Sequence, residues 1–177
     1  LPAAAFLPAR APRLLRYANL RNHRKIVVVD GRVGFTGGMN IRAGHWLSRS
    51  PDYPVRCVHF RVEGPIVDDM QQVFATDWEF TTGERLDGDR WFAAERDRGP
   101  VAVRGVPDGP DADIDNLPQL LLGALSVATR SVRLVTPYFL PEDGLLRALQ
   151  VAALRGVEVD IVVPERSNVP LIDWAMT

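Results

Sequence analysis

The residues best suited to chemistry lie between His23 and Asn40. The order is His23-Arg24-Lys25, the β-branched run Ile26-Val27-Val28-Val29, Asp30, and then Gly37-Gly38-Met39-Asn40. His23 and Lys25 are two apart, so on an extended chain they share a face. An imidazole near neutral pH serves as nucleophile or general acid–base. An ammonium beside it holds a phosphate oxygen and stabilises the charge of a transition state. Asn40 offers a further donor, and Gly37-Gly38 lets the backbone N–H groups approach an anion closely. The set suits a phosphoryl group handled without a metal: no acidic cluster nearby would hold Mg²⁺, and neither metal nor cofactor is expected. Each member alone has a plainer reading, Gly37-Gly38 as a turn and Asp30 as mainly structural. The conjunction H-x-K-x4-D-x6-G-G-x-N fixes six identities at fixed spacing.

These residues must be held by strands and helices. Ile26–Val29 reads as a buried strand, Asp30-Gly31 as a two-residue hairpin turn, and Arg32–Thr36 as the return strand. Val55–Val62 reads as a strand closed by Glu63-Gly64-Pro65. From Ile66 to about Phe80 the apolar positions recur at helical spacing. Thr81 to Pro100 is charged and reads as linker. A second pattern follows: a strand over Val101–Val106, a helix from Asp115 or Asn116 to about Thr129, a strand over Val132–Thr136, an amphipathic helix over Glu142–Arg155 closed by Gly156, and a strand over Val157–Val163. A last helix begins near Val169. Alternation of strand and helix predicts an α/β fold with a mostly parallel sheet.

Composition narrows the classes. Of 177 residues, 46% are hydrophobic and 24% charged, as in an ordinary globular chain. The single Cys57 excludes an intrachain disulfide and a zinc cluster. The three histidines (His23, His45, His59) show no H-E-x-x-H pattern. No apolar run approaches the roughly 20 residues of a membrane helix. The opening Leu1–Phe6 has neither an initiator Met nor a signal-peptide pattern, so the chain is expected to be a piece of a longer polypeptide. Net charge is −1, but residues 1–49 carry nine basic groups and one acid, an excess of eight positive charges. That distribution suits an anionic ligand: phosphate, nucleic acid or a lipid headgroup. Twenty of the 21 basic residues are Arg, and the sole Lys is Lys25, beside His23. A site shaped around a compact ammonium resists exchange for a planar guanidinium.

The motif resembles the signature of the phospholipase D superfamily. The wider text is similar to bacterial cardiolipin synthases in Arg21–Lys25, Gly34–Ile41, Glu63-Gly64-Pro65 with Trp78, Thr136–Pro141, and Leu145–Pro164. The resemblance implies a layered α-β-α sandwich made of two halves related by a pseudo-twofold axis, each with one motif. Residues 1–98 would then be the later part of the first half, and 99–177 the opening of the second, without its motif. It implies that His23 is one of two active-site histidines, acting as nucleophile or as general acid–base around a phosphohistidine-type intermediate. Lys25 and Asn40 would bind phosphate with Gly37 and Gly38, and Asp30 completes the motif. The implied reaction moves a phosphatidyl group between phosphatidylglycerol molecules. The implied location is the bacterial membrane, reached through parts of a longer chain.

Two features depart from the family. One motif is present rather than two, so the chain is expected to hold half an active site, completed by a second half or by a homodimer. The family's Arg-Asp-x-His reads Arg56-Cys57-Val58-His59 here, and in the family that Asp is thought to orient the motif histidine. Two rivals remain open at this level: a phosphodiesterase or nuclease of the same chemistry, for which nucleic acid is the less favoured partner, and an inactive half-domain. His59 reads as structural or as a substrate-side polar group. His45-Trp46 could line an entrance. Tyr138 and Phe139 stand at a strand's C-terminal end, and Trp78 and Trp174 read as core.

Overall fold

The computed structural model describes residues 2–6, 22–92, 99–108 and 115–165. It is an α/β structure, and the chain divides into two compact units, Leu1–Gly105 and Val106–Thr177.

In the first unit, β1 (Ile26–Val29), β2 (Val33–Gly37) and β3 (His59–Glu63) form an antiparallel sheet in that order, followed by helix α1 (Ile66–Thr82). Asp30 and Gly31 both take left-handed backbone angles, φ 54° and 61°, which Asp and Gly tolerate best. The Arg32 N–H closes the turn on the Val29 carbonyl at 3.0 Å. The register pairs Val29 with Val33 and Ile26 with Thr36. The connection is therefore three residues long, and Arg32 belongs to it rather than to the return strand.

One face of this sheet packs on α1. A Cβ built on Gly34 would stand 2.7 Å from Met70 Sδ and 3.0 Å from Val62 Cγ2. Only a glycine lets the helix approach this closely. Val67, Met70, Gln71 and Ala75 turn inward on α1. Leu86 joins the buried set after Gly83, whose N–H caps the helix on the Glu79 carbonyl at 2.8 Å. The expected strand over Val55–Val62 begins only at His59. Residues 55–58 are drawn off the ladder because the Val55 N–H bonds to the Gly44 carbonyl at 2.8 Å.

In the second unit, α2 (Asn116–Val127) leads to β4 (Ser131–Val135), α3 (Asp143–Leu154) and β5 (Glu158–Val162). β4 and β5 pair in parallel, with Ser131 opposite Glu158 and Val135 opposite Val162. Parallel strands need a crossover, and α3 is that crossover. Leu125, Leu149, Ala152 and Val157 form its buried centre. Gly156 (φ 85°) ends α3 with paired bonds, Val157 N–H to Ala152 and Gly156 N–H to Ala153, at 3.1 and 2.9 Å. This is the C-terminal cap the glycine foretold. Arg155 also donates to the last carbonyls of α2, at Leu125 (3.2 Å) and Ala128.

The expected strand over Val101–Val106 does not form. That stretch is irregular, and Val101 and Val103 are exposed. β-propensity is not enough where no strand among the described residues offers a ladder, and the Gly105 N–H turns instead to Asp69 Oδ2 at 3.3 Å. The described strands likewise make one antiparallel sheet and one parallel pair rather than a single mostly parallel sheet. The helix expected from Val169, and Trp174 within it, lie outside the described residues.

Candidate active site around the first hairpin

The hairpin register decides which motif residues meet. Carried one step beyond Ile26 and Thr36, it sets Lys25 opposite Gly37. On the other side of β2, Gly37 pairs with His59. Lys25, Gly37 and His59 thus form one cross-strand row, on the face away from α1. His23 immediately precedes this row. The Lys25 ammonium donates to the His23 carbonyl at 2.5 Å, so the only lysine stands against the backbone of the motif histidine. His23 itself is exposed.

Gly37 is required at the centre of the row. Its φ is 147°, and an added Cβ would lie 2.5 Å from the Val58 carbonyl oxygen and 2.8 Å from His59 Nδ1. The imidazole of His59 leans into the space a side chain would take. Its Nδ1 is buried with no hydrogen-bond partner among the described residues. Burying an imidazole nitrogen in this way costs free energy, which a packing residue of another type would avoid. His59, read from sequence as structural or substrate-side, is therefore placed beside the motif. The signal that could have found it is the three-strand order: a hairpin followed by an antiparallel return brings the start of β3 back to the motif end. Gly38 continues the edge, its N–H bonding to the Val58 carbonyl at 2.9 Å.

Asp30 lies elsewhere. It sits in the turn at the other end of β1, roughly 16 Å from Lys25 at about 3.3 Å per strand residue. Its left-handed φ gives it a structural part there. Asn40 lies beyond the motif end of β2, exposed, with its carbonyl accepting the Arg42 N–H at 2.9 Å. Cys57 Cβ lies 3.2 Å from an added Gly38 Cβ. Its Sγ stands 3.4 Å from His45 Nδ1, in the short 3-10 turn Ala43–His45. Trp46 is exposed under the Arg49 guanidinium, 4.7 Å from the ring centre. Trp78 stacks on Phe74 at 6.0 Å and donates to Glu84 at 2.8 Å, so it is half-buried rather than core.

A small hollow on the first unit is lined by Asn22, Arg24, Ile26, Phe74 and Asp77. It contains no motif residue, since Arg24 and Ile26 alternate with His23 and Lys25 along the chain. In the second unit, Tyr138 and Phe139 follow the C-terminal end of β4, where Thr136 Oγ1 donates to the Tyr138 carbonyl at 2.9 Å. No group of three or more His, Cys, Asp or Glu side chains among the described residues is arranged to hold a metal ion. No helix among them is long and apolar enough to cross a membrane.

Comparison with known proteins bears on both units. Residues 121–177 match the family described as cardiolipin synthase, PLD-like domain. That match falls on the second unit and not on the hairpin motif. The cardiolipin synthase of Geobacillus thermodenitrificans (strain NG80-2) is 36% identical over 173 residues, covering 96% of this chain and 34% of the relative. That of Staphylococcus aureus (strain Mu50) is 34% identical over 176 residues, covering 98% and 35%. That of Alkalihalophilus pseudofirmus is 35% identical over 167 residues, covering 93% and 33%. The chain spans about a third of the length of the curated relatives it matches. No solved structure matches it significantly. Over nearly its whole length the chain is therefore similar to part of the bacterial cardiolipin synthases, and its residues 121–177 match their PLD-like domain.

Proposed function

We propose that this chain is part of a phosphatidyltransferase of the cardiolipin synthase type, with His23 at its reacting centre. The observation that carries the proposal is the hairpin register, which returns Gly37-Gly38 to the end of the sheet where His23 and Lys25 stand. One imidazole of a pair uses a ring-nitrogen lone pair to attack the phosphorus of phosphatidylglycerol. The bond from phosphorus to the glycerol headgroup oxygen breaks, and the second imidazole protonates the leaving glycerol. That same imidazole then takes the proton from a hydroxyl of a second phosphatidylglycerol, whose oxygen attacks phosphorus as the N–P bond breaks. The product is cardiolipin. Two displacements replace one difficult one. Lys25 and Asn40 hold the phosphate oxygens, Gly37 and Gly38 leave the backbone open to them, and Asp30 closes the hairpin that sets the register.

The second imidazole comes from a second half of a longer chain or from His23 of a second copy. A single H-x-K motif and similarity to a third of each relative support that reading. The complete fold is then a layered α-β-α sandwich of two halves, with residues 1–98 closing the first and 99–177 opening the second. It works at the membrane surface on an anionic phospholipid.

The test is turnover of phosphatidylglycerol vesicles by the polypeptide that contains this chain, with cardiolipin and glycerol measured separately. His23→Ala should lower the rate by about 10²–10⁴-fold, the range general acid–base or nucleophilic groups contribute. Radiolabelled phosphatidylglycerol should leave an acid-labile, alkali-stable label on wild type. Unchanged turnover in His23→Ala would refute the assignment. Release of phosphatidic acid without cardiolipin, or cleavage of nucleic acid that falls steeply with salt, would favour hydrolysis over transfer.

A further inference from the structure

Residues 22–25 precede β1 and belong to no regular strand, yet His23 lies among them. They are fixed by a closed ring of hydrogen bonds that runs through one carboxylate on α1. Asn22 Nδ2 donates to Asp77 Oδ2 at 2.5 Å. The Arg24 N–H donates to Asn22 Oδ1 at 2.9 Å. Arg24 Nη1 donates to Asp77 Oδ1 at 2.8 Å and to Oδ2 at 3.1 Å. The ring takes in the residue before His23 and the residue after it, and leaves the imidazole outside.

The ring differs from an ordinary surface ion pair, which contributes about 0–1 kcal/mol and orders little. The Asp77 side chain is only 20% exposed and that of Arg24 30%. Both carboxylate oxygens accept charge-assisted or amide bonds, which are the stronger kind. One arm ends on a backbone N–H, so the ring constrains the main chain as well as side chains. Asp77 in turn sits on a rigid helical turn, where Thr81 Oγ1 bonds to its carbonyl at 2.7 Å. Asn22 and Arg24 both turn to Asp77 on α1, and His23, held between them, is left exposed.

We propose that Asp77 is the positioning residue for His23, acting through Asn22 and Arg24 from the back of the sheet. The inference rests on the proposed role of His23 for its catalytic meaning, while the ring itself does not. A misplacement of about 1 Å at a reacting group can cost on the order of 100-fold in rate.

The experiment uses the 177-residue chain, with Asp77→Ala and Asp77→Asn, and two readouts by NMR. One is the set of His23 ring resonances together with amide exchange at Arg24. The other is titration with inorganic phosphate, followed at Lys25 and Gly38. In Asp77→Ala, Arg24 exchange should accelerate and the His23 resonances should shift, with the β1–β2 ladder amides still protected. Phosphate affinity should fall about tenfold, or 1.4 kcal/mol. Asp77→Asn should fall between, since it keeps an acceptor for Asn22 and loses the charge facing Arg24. Unchanged His23 resonances and Arg24 exchange in a folded Asp77→Ala would overturn the proposal. If Asp77→Ala loses ladder protection, Arg24→Ala decides in its place: it leaves α1 untouched and must shift His23 in the same direction. A wild-type chain that binds no phosphate would sink the phosphoryl reading alone, and the exchange and ring readouts would still judge Asp77.

Discussion

Replacing Gly37 by Ala tests the geometry of the motif end most directly. Two costs combine there. The backbone is at φ 147°, a region in which a side chain costs about 1–3 kcal/mol. The new methyl also meets the Val58 carbonyl oxygen at 2.5 Å, His59 Cα at 2.7 Å and His59 Nδ1 at 2.8 Å. Two of these three atoms are backbone of the neighbouring strand and cannot swing away. Overpacking of this kind costs about 1–3 kcal/mol. The total is about 2–6 kcal/mol, a large part of the 5–15 kcal/mol that holds a typical domain together. Gly88→Ala is the control. Its φ is 74° and nothing among the described residues lies within 4 Å of the added Cβ, so only the backbone cost of about 1–2 kcal/mol applies. Urea unfolding followed by tryptophan fluorescence should place the Gly37→Ala midpoint below that of Gly88→Ala by about 0.5–2 M, taking a slope near 2 kcal/mol per M. Equal midpoints would mean that β3 yields to the methyl, and the row of Lys25, Gly37 and His59 would not be rigid.

Asp30→Gly should leave the unfolding midpoint within about 0.5 kcal/mol, while Asp30→Val should cost about 1–2 kcal/mol at a left-handed position; a larger loss of phosphate binding than of stability in either variant would give Asp30 more than its turn. Gly123 lies inside α2 with nothing among the described residues within 4 Å of an added Cβ, so Gly123→Ala should stabilise the second unit by about 1 kcal/mol, read as delayed loss of circular dichroism on heating; a drop would contradict that open space. Asp68 titrates above its ordinary 3.8, first because burial disfavours the carboxylate and then because Asp69 repels it. The folded state thus binds that proton more tightly than the unfolded one, so the ionised group opposes folding at neutral pH. Asp68→Asn should raise the urea midpoint at pH 7, and the gain should shrink as pH falls through the raised pKa and vanish below 3.8; a variant no more stable than wild type at pH 7 would contradict the assigned burial.

Two contacts near the motif bear on how His23 is held. The Cys57 thiol faces His45 at 3.4 Å. An anchored carboxylate, Asp77, holds the motif segment from α1 and through the neighbours of His23. A carboxylate on an imidazole sets its tautomer, whereas a clamp on the backbone sets where the imidazole stands.

Local chemistry was legible in the residue order. Ile26–Val29 had to be extended because four β-branched side chains crowd a helix. Asp30-Gly31 had to turn because those two residues accept positive φ most readily. Gly156 had to end α3, and the motif spacing singled out His23, Lys25 and Asn40 as candidates for the proposed phosphoryl chemistry. What remained undecided in the sequence was everything that depends on which strands meet. Arg32 could belong to the strand or to the turn, and that one residue decides whether Gly37 or Thr36 lies across from Lys25, because a slip of one reverses every side chain. Val101–Val106 has the composition of a strand and stays irregular, since a strand exists only where a neighbour accepts its backbone bonds. His59 and Asp77 lie 36 and 54 residues beyond His23. No local pattern could bring them to it, and only the return of β3 beside β2 and the packing of α1 beneath the sheet placed one beside the motif and the other behind it.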